Sequence, residues 1–237
     1  MTKVGPICAE LPQHLRISER LTREIATGRL ADGSRLPPER QMAAEMGVAV
    51  GTLRRALQSL TENGLLERVQ GSGNYVRARQ GPVGIYGLFR LERPGGGDFP
   101  TAEILSAVRL RKPVDLPPFG SSAHAYRIRR LRRLDGRAVA VEEIWLDGSR
   151  ASRMIAGEIS ESLYLHYANV LGFRITRVED RCSVAAMPDW APQILAPCCG
   201  TAAGFFERLG WAEDGQSAEY SRNWFDPASA QYVARLS

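Results

Sequence analysis

Arginine is concentrated at two places along the chain, and both could bind anions. Residues 127–133 include five arginines, and an earlier predicted helix carries Thr52, Arg54, Arg55 and Gln58 on one side. Guanidinium groups offer forked donors to phosphates and carboxylates. Hydroxyl, amide and guanidinium groups also reach the base edges of DNA. The residue types therefore predict two anion-binding surfaces, one suited to a nucleic acid and one suited to a small ligand.

The arginine-rich segment is predicted to lie in the first strand of a β-hairpin. The two strands and the turn between them are, in order, Tyr126–Leu134, Asp135-Gly136 and Ala138–Leu146. Side chains alternate between the faces of a strand, so the length of the turn decides which residues share a face. A two-residue turn places Arg130 opposite Val141, whereas a three-residue loop, 135–137, places Arg130 opposite Glu142.

We favour the three-residue loop because it divides the hairpin into an apolar face and a polar face. The apolar face then consists of Leu131, Val139 and Val141. The polar face consists of Arg130, Glu142, and Arg132 opposite Ala140. Two convergent guanidiniums suit an anion, and a carboxylate beside them would accept from ligand hydroxyls or an amine. Two other interpretations stay open: a solvated basic strand, and a purely structural Arg–Glu network.

The earlier arginines belong to a helix, turn, helix, hairpin pattern that runs from Gly28 to Val76. Apolar residues at helical spacing predict two short helices, which Gly47 and Asn63-Gly64 end. The inward residues are Met42, Ala43 and Met46 in one helix, and Leu53, Ala56, Leu57 and Leu60 in the other. The predicted hairpin consists of Leu65–Val69, the tip Gln70–Gly73 and Asn74–Val76. A preceding helix, Pro12–Ala26, would brace both through Ile17, Leu21 and Ile25.

This order of elements predicts a winged helix-turn-helix whose second helix lies in the major groove. The alternative is a small three-helix domain with a solvated basic face. The residues predicted to contact DNA, or to let the wing approach the minor groove, are Arg40, Thr52, Arg54, Arg55, Gly71 and Gly73.

Four runs of residues in this segment carry a family resemblance. They are Arg35-Leu36-Pro37-Pro38-Glu39-Arg40, Thr52-Leu53-Arg54-Arg55-Ala56-Leu57, Gly64-Leu65-Leu66 and Gly71-Ser72-Gly73-Asn74-Tyr75-Val76. They resemble the DNA-binding domain of GntR-family bacterial transcription regulators. Pro38 replaces the family's serine, so a helix cap is lost. Ala49-Val50 replaces the usual Ser-Arg at the start of the second helix, so one expected DNA contact is missing and the operator is expected to differ.

The remainder of the chain predicts an α+β domain on an antiparallel sheet. Polar residues, glycine and proline at Arg77–Pro82 mark the boundary, which gives domains 1–78 and 79–237. A capped helix is predicted at Ser160–Leu171, with Leu163, Tyr167, Val170 and Leu171 inward, and a short helix at Pro188–Ala196. The further predicted strands are Ile175–Ala186, Phe205–Trp211, Ala218–Phe225 and Tyr232–Leu236. Gly95–Gly97 is either an anion-binding backbone nest or a mobile loop, and Pro113–Pro118 is a loop.

Several short runs of this second part carry another resemblance. They are Ile128–Arg132, Asp135-Gly136, Val141-Glu142-Glu143, Ser162-Leu163-Tyr164, Gly215 and Ala218–Arg222. They resemble the UTRA domain, the effector-binding domain of HutC-type GntR regulators, which implies a fold like that of chorismate lyase. The resemblance further implies that Arg130, Arg132, Glu142, Ser162, Tyr164 and Glu219 line a pocket for a small anionic metabolite, often a phosphosugar or an amino-acid derivative.

Composition narrows the function classes. The 237 residues include no apolar run long enough for a transmembrane helix and no signal-peptide core at the N-terminus. The cysteines do not form a disulfide framework, which predicts a reducing cytoplasm. Residues 1–80 carry 12 basic and 8 acidic residues, a modest excess where DNA binding is predicted. The four cysteines, including Cys198-Cys199, and His14, His124 and His166 are not at metal-ligand spacing.

The sequence therefore predicts a ligand-responsive transcription regulator, a repressor by its family resemblance, that binds an inverted-repeat operator as a homodimer. No nucleophile–base constellation, metal set, cofactor motif or Walker motif is visible, so no catalytic residue and no cofactor is predicted. Two alternatives are a chorismate-lyase-like enzyme and a DNA-binding protein whose second domain only dimerises.

Overall fold

The computed structural model describes residues 11–26, 28–77, 87–94, 99–195 and 198–234. Contacts divide the chain into two compact units, which we call the first unit (Leu11–Phe99, with the residues from Tyr232 onward) and the second unit (Pro100–Gln231). Three predicted features lie wholly or largely outside the described residues: the Arg77–Pro82 boundary, Gly95–Gly97 and the end of the last strand.

The first unit is a winged helix-turn-helix, as predicted. Its elements are α1 (Gln13–Ala26), α2 (Glu39–Glu45), α3 (Val50–Glu62), β1 (Leu66–Val69), β2 (Gly73–Val76) and β3 (Leu91–Glu92). The apolar faces of the three helices meet in one core, to which Val76 of the hairpin also belongs. All ten residues predicted to point inward from the three helices are in this core or packed against it. Helical spacing therefore predicted the packing of this unit correctly.

The starts of α2 and α3 confirm the predicted loss of a cap. Pro38 and Ala49 occupy the two N-cap positions, and neither makes a side-chain hydrogen bond to the helix. A serine or aspartate there would satisfy one of the free N–H groups of the first turn. Glu39, in the first turn of α2, is the acidic residue that remains to offset the positive end of the helix.

The second unit is built on a six-stranded antiparallel sheet. Its strands are β4 (Pro100–Arg111), β5 (His124–Leu134), β6 (Arg137–Asp147), β7 (Ile175–Ala186), β8 (Ala202–Ala212) and β9 (Ser217–Phe225). Their order across the sheet is β4-β5-β6-β9-β8-β7. The sequence did not predict β4. A bulge between Ile104 and Ser106 interrupts its pairing with β5, and such an extra residue breaks the alternation by which strands are recognised.

The β5–β6 hairpin has the predicted register but not the predicted turn. Arg130 pairs with Glu142 and Arg132 with Ala140, as expected. The loop, however, has two residues, because Leu134 already pairs with Arg137. Asp135 and Gly136 both have positive φ, 46° and 79°, as a type I′ turn requires. A bulge between Arg132 and Arg133 supplies the missing shift of one residue, so the three-residue loop was wrong.

Two predicted helices of the second unit differ from the structure. The helix predicted at Ser160–Leu171 is a four-residue α-helix, α4 (Leu163–His166), followed by a π-helical turn at Tyr167–Leu171. A π turn shifts the residues after it around the helix, so Val170 is 65% exposed rather than inward. The described part of Pro188–Ala196 forms turns instead of a helix, because Pro192 lacks the N–H that a helix needs.

The two faces of the sheet differ in chemistry. One face carries two apolar clusters, around Trp224 and Val141 in one case and around Trp145 and Phe119 in the other. The opposite face carries buried charged residues, among them Arg130, Arg132, Glu142, Arg208 and Glu219. The alternation of strand side chains puts them there, since Glu142 pairs with Asn223 and Arg208 with Ser221.

The C-terminal segment is shorter in strand than predicted. The strand β10 comprises only Gln231–Tyr232, and the following described residues are not in a strand. Within the first unit, the N–H of Val233 donates to the carbonyl of Arg90 at 2.8 Å.

The guanidinium of Arg23 on α1 donates to the carbonyl of Leu91 at 3.2 Å and lies over the ring of Phe89. The segment before the second unit is thereby anchored to α1.

Candidate DNA interface and effector site

A cleft of about 650 Å³ lies in the first unit, between the start of α2, the helix α3 and the tip of the wing. It brings together four of the six predicted DNA-contacting residues: Arg40, Arg54, Gly71 and Gly73. Thr52 and Arg55 also lie on α3 but outside the lining of the cleft; Thr52 is half-buried and Arg55 is exposed. Two further arginines, Arg35 and Arg68, line the cleft and were not predicted.

The arginines of the cleft are exposed, and one carboxylate lies among them. Glu39 Oε2 accepts a hydrogen bond from Arg54 Nε at 2.6 Å, and Glu39 Oε1 lies 4.0 Å from Arg68 Nη2. The arginine side chains are 63% and 71% exposed. Exposed ion pairs contribute little to stability. The positive charge of this cleft is therefore accessible to an anionic partner.

No local signal in the sequence indicates that Arg35 and Arg68 line the cleft. Arg68 lies on β1, where three successive side chains are exposed, so alternation along the strand does not single it out. Arg35 forms an isolated bridge with Tyr75 of β2, a pairing between distant parts of the chain that no local pattern reveals. The family motif that includes Arg35 was the only signal that could have found it.

We expect Gly71→Val to weaken DNA binding through the shape of the wing. Gly71 has a φ of +75°, and a Cβ there would meet nothing within 4 Å. The substitution therefore introduces backbone strain of about 1–2 kcal/mol and no steric clash. The hairpin relieves this strain by changing the conformation of its tip. DNA affinity measured by fluorescence anisotropy should fall. Gly157→Val, in the second unit and also with open space around it, is the matched control. Equal affinity of both variants would contradict a role for the wing.

In the second unit, two arginines share one carboxylate on the polar face of the sheet. Arg130 Nη2 lies 2.6 Å and Arg132 Nε 3.0 Å from Glu142 Oε2. All three residues are at least 95% buried. Burial raises the pKa of Glu142, but the charges and hydrogen bonds of the two arginines outweigh it and lower the pKa below its usual value. The carboxylate is therefore ionised and holds both guanidiniums.

A second group on this face is built around Glu219. Tyr164 Oη donates to Glu219 Oε1 at 3.1 Å, and Tyr167 Oη donates to Oε2 at 2.6 Å. Burial raises the pKa of Glu219, against the opposing effects of Tyr167 and Arg130. Arg208 forms a bidentate pair with Asp180, with contacts of 2.6 and 2.7 Å. Burial raises the pKa of Tyr164, and the charge of Arg208 opposes this larger effect.

The structure thus brings most of the predicted effector residues together. Arg130, Arg132 and Glu142 form one group, and Tyr164 and Glu219 form the other. Arg130 is electrostatically coupled to Glu219, so the groups are neighbours. Ser162 is buried, but its hydroxyl accepts from the N–H of Leu165 and caps α4.

Three residues of this cluster were missed as site residues: Tyr167, Asp180 and Arg208. Tyr167 was predicted to point inward but only as a core residue. Arg208 and Asp180 face each other directly across β7 and β8. A strand prediction without a register cannot pair them, so the sequence held no local signal for this contact.

The described residues offer no group of three or more histidine, cysteine, aspartate or glutamate side chains that could hold a metal ion. Cys182, Cys198 and Cys199 are free and exposed. His166 is buried, and this burial lowers its pKa. Within the same described residues, no helix is long and apolar enough to cross a membrane.

Comparison with known proteins identifies both units. Residues 13–76 match the family described as "Bacterial regulatory proteins, gntR family", and residues 96–231 match the UTRA domain. The chain is 51% identical to the HTH-type transcriptional regulator SmoD of Agrobacterium fabrum, an alignment that covers 95% of this chain and 97% of the relative. The chain belongs to the GntR family. Its UTRA domain makes it a HutC-type member.

Other GntR regulators agree with this assignment. The mannosyl-D-glycerate transport/metabolism system repressor MngR of Escherichia coli is 27% identical, over 91% of this chain and 92% of the relative. The structure of YydK from Bacillus subtilis superposes with a TM-score of 0.53, covers 96% of this chain and all of that chain, and is 17% identical. That likeness shows the shared fold. The chain is thus a transcription regulator with a DNA-binding domain and an effector domain. The comparisons do not favour a chorismate-lyase-like enzyme or a DNA-binding protein whose second domain only dimerises.

Proposed function

We propose that this GntR regulator is a repressor. As a homodimer, it binds an inverted-repeat operator and leaves it when a small anionic metabolite occupies the second unit. On this proposal the chain is not an enzyme, acts in the cytoplasm, and divides at residues 78 and 79. Conversion of chorismate to a product by the purified chain would contradict the non-enzymatic part of the proposal.

The observation that carries DNA binding is the arginine-lined cleft beside α3 and the wing. Arg40 and Arg54 lie in it with the two wing glycines, while Thr52 and Arg55 extend the surface along α3. In a winged helix-turn-helix of this kind α3 enters the major groove. Phosphate contacts from the cleft would fix its position, and side chains of α3 would read base edges. On this proposal, both kinds of contact come from α3 and the elements beside it.

The trio of Arg130, Arg132 and Glu142 supports an anionic effector. The two buried guanidiniums lie 2.6 and 3.0 Å from one carboxylate, and such forked donors suit a phosphate or a carboxylate. Glu219 is buried on the same face of the sheet. Glu219 and Tyr164 would read the hydroxyls or the amine of the same ligand. A phosphosugar and an amino-acid derivative both fit this description, and MngR is named for a mannosyl-D-glycerate system.

The DNA-binding proposal is tested by selecting duplexes from a random library with the full chain. We expect a two-fold symmetric consensus, and Arg54→Ala should weaken binding to it. A phosphate contact would make that loss uniform across sequences, and a base contact would relax one position of each half-site by about 1–3 kcal/mol. An unchanged affinity for the selected duplex would remove Arg54 from the interface.

We expect the chain to be a homodimer through its second unit. In the described protomer β4 and β7 are the edge strands of the sheet, and Val184 on β7 is 72% exposed. Long edge strands are normally paired or covered, and a symmetric operator requires a two-fold protein. Sedimentation of the full chain should give a dimer both free and on DNA. A monomer in both conditions would contradict the proposal.

A further inference from the structure

One acidic residue lies within the basic cleft of the first unit. Glu39 opens α2, and its carboxylate contacts arginines of two other elements: Arg54 of α3 at 2.6 Å and Arg68 of the wing strand β1 at 4.0 Å. The glutamate side chain is only 20% exposed. A carboxylate in this position neutralises part of the cleft and repels DNA phosphates. A surface that only gripped phosphates would bind DNA better without it.

We propose that Glu39 is a positioning residue that fixes Arg54 for reading a guanine. This inference rests on the proposed DNA-binding function and assigns a sequence-reading role to one contact in it. The hydrogen bond from Arg54 engages Nε. The terminal nitrogens Nη1 and Nη2 carry four further donors, and a pair of such donors matches guanine O6 and N7. Glu39 therefore sets the direction in which Arg54 presents its fork.

The sequence of α3 makes the placement of Arg54 important for DNA recognition. The helix starts with Ala49-Val50, so it has no arginine in its first turn and Arg54 is the first arginine along it. The side chain of Arg54 is 63% exposed. An exposed arginine samples many rotamers, and ordering it on binding costs about 0.5–1.5 kcal/mol. A carboxylate that orders the Arg54 side chain before DNA binds removes part of that cost when the correct base is present.

The role of Glu39 at the start of a helix is the competing explanation. An acidic residue in the first turn stabilises a helix through its dipole, and Pro38 supplies no side-chain cap. If this were its only role, removing the carboxylate would lower stability and weaken binding to every duplex equally. A positioning role affects one base position. The base-preference profile therefore separates the two roles.

The test is duplex selection from a random library with the full chain and four variants: Arg54→Ala, Glu39→Ala, Glu39→Gln and Glu45→Ala. Glu45→Ala is the matched control, because Glu45 lies at the other end of α2, carries the same charge and accepts from Gln41. We expect Glu39→Ala to lose about 2- to 12-fold of the preference for guanine at the position that Arg54→Ala also relaxes. Binding to other sequences should be equal or tighter.

Glu39→Gln keeps an oxygen that accepts from Arg54 Nε, so it should retain the guanine preference, and Glu45→Ala should match the wild type. A Glu39→Ala profile that is unchanged, or scaled uniformly at all positions, overturns the positioning role while leaving DNA binding intact. Loss of the preference in Glu45→Ala as well would overturn it equally. A wild-type chain that selects no sequence would instead refute the proposed function itself, and the inference with it.

Discussion

Glu142→Ala lowers the free energy of unfolding of the second unit by about 3–5 kcal/mol, the cost of leaving buried charge uncompensated. The substitution removes the one carboxylate that Arg130 and Arg132 share. Both guanidiniums, which are buried, then lose the carboxylate that they contact. Urea unfolding followed by tryptophan fluorescence should show a lower midpoint than the wild type.

Glu143→Ala is the matched control for this prediction. Glu143 is also buried and pairs with Arg129 at 2.7 Å, but that arginine side chain is 23% exposed and is hydrated when its partner is lost. Arg130→Ala should also cost less than Glu142→Ala, since it leaves the pair of Arg132 and Glu142. Equal destabilisation by all three variants would contradict the shared carboxylate.

The pH dependence of stability follows from the same trio. The pKa of Glu142 is lower in the folded chain than in the unfolded one. A group of this kind contributes stability above its unfolded pKa and loses it as the pH falls through its folded pKa. Stability should therefore decline in acid, below the ordinary range of a glutamate, and Glu142→Gln should flatten that decline.

Arg130→Ala should give a repressor that stays on its operator. The guanidinium would grip the anionic end of the effector, and one charge-assisted hydrogen bond is worth about 1.5–3 kcal/mol, or about 10- to 150-fold in affinity. The domain should remain folded, because Glu142 keeps Arg132. A metabolite that releases the wild-type chain from DNA should therefore fail to release this variant at the same concentration. A ligand acts only through its differential affinity for the two states, so a variant that binds it weakly is not released.

The measurement is a DNA anisotropy titration with and without a metabolite that stabilises the wild-type chain in a thermal shift screen. Melting curves of the variant separate loss of the ligand from loss of the fold. Arg177→Ala is a suitable control, since Arg177 is an exposed arginine on β7 that lies over Trp211. A folded Arg130→Ala chain that leaves DNA with normal sensitivity would refute the assignment of Arg130 to the effector pocket.

Local patterns were sufficient where the structure is determined by neighbours in sequence. The helical spacing of Leu53, Ala56, Leu57 and Leu60 predicted both α3 and the face it buries. The requirement that the hairpin have one apolar face correctly predicted the pairing of Arg130 with Glu142. The one-residue shift in register comes from a bulge and not from the turn. Packing of the apolar face thus fixed the register, and a β-bulge rather than a longer turn produced it.

Elements that depend on distant contacts or on irregular backbone were not predicted. The strand β4 contains a bulge that hides its alternation. The π turn after α4 rotates Val170 outward, which no count of helical positions anticipates. The pairs of Arg208 with Asp180 and of Glu39 with Arg54 join separate elements. The charged cluster that we propose as the effector site was therefore predicted in part, and Tyr167, Asp180 and Arg208 were recognised only from the structure.

On the proposed function, the arginine-lined cleft of the first unit is the surface that binds the operator. The most direct measurement is the salt dependence of affinity for a selected duplex, compared between the wild type and Arg40→Ala. We expect log affinity to fall linearly with log salt, with a slope of about −0.9 for each phosphate neutralised. Arg40→Ala should reduce that slope by about one unit per contact removed. Identical slopes and affinities for the two chains would contradict the claim.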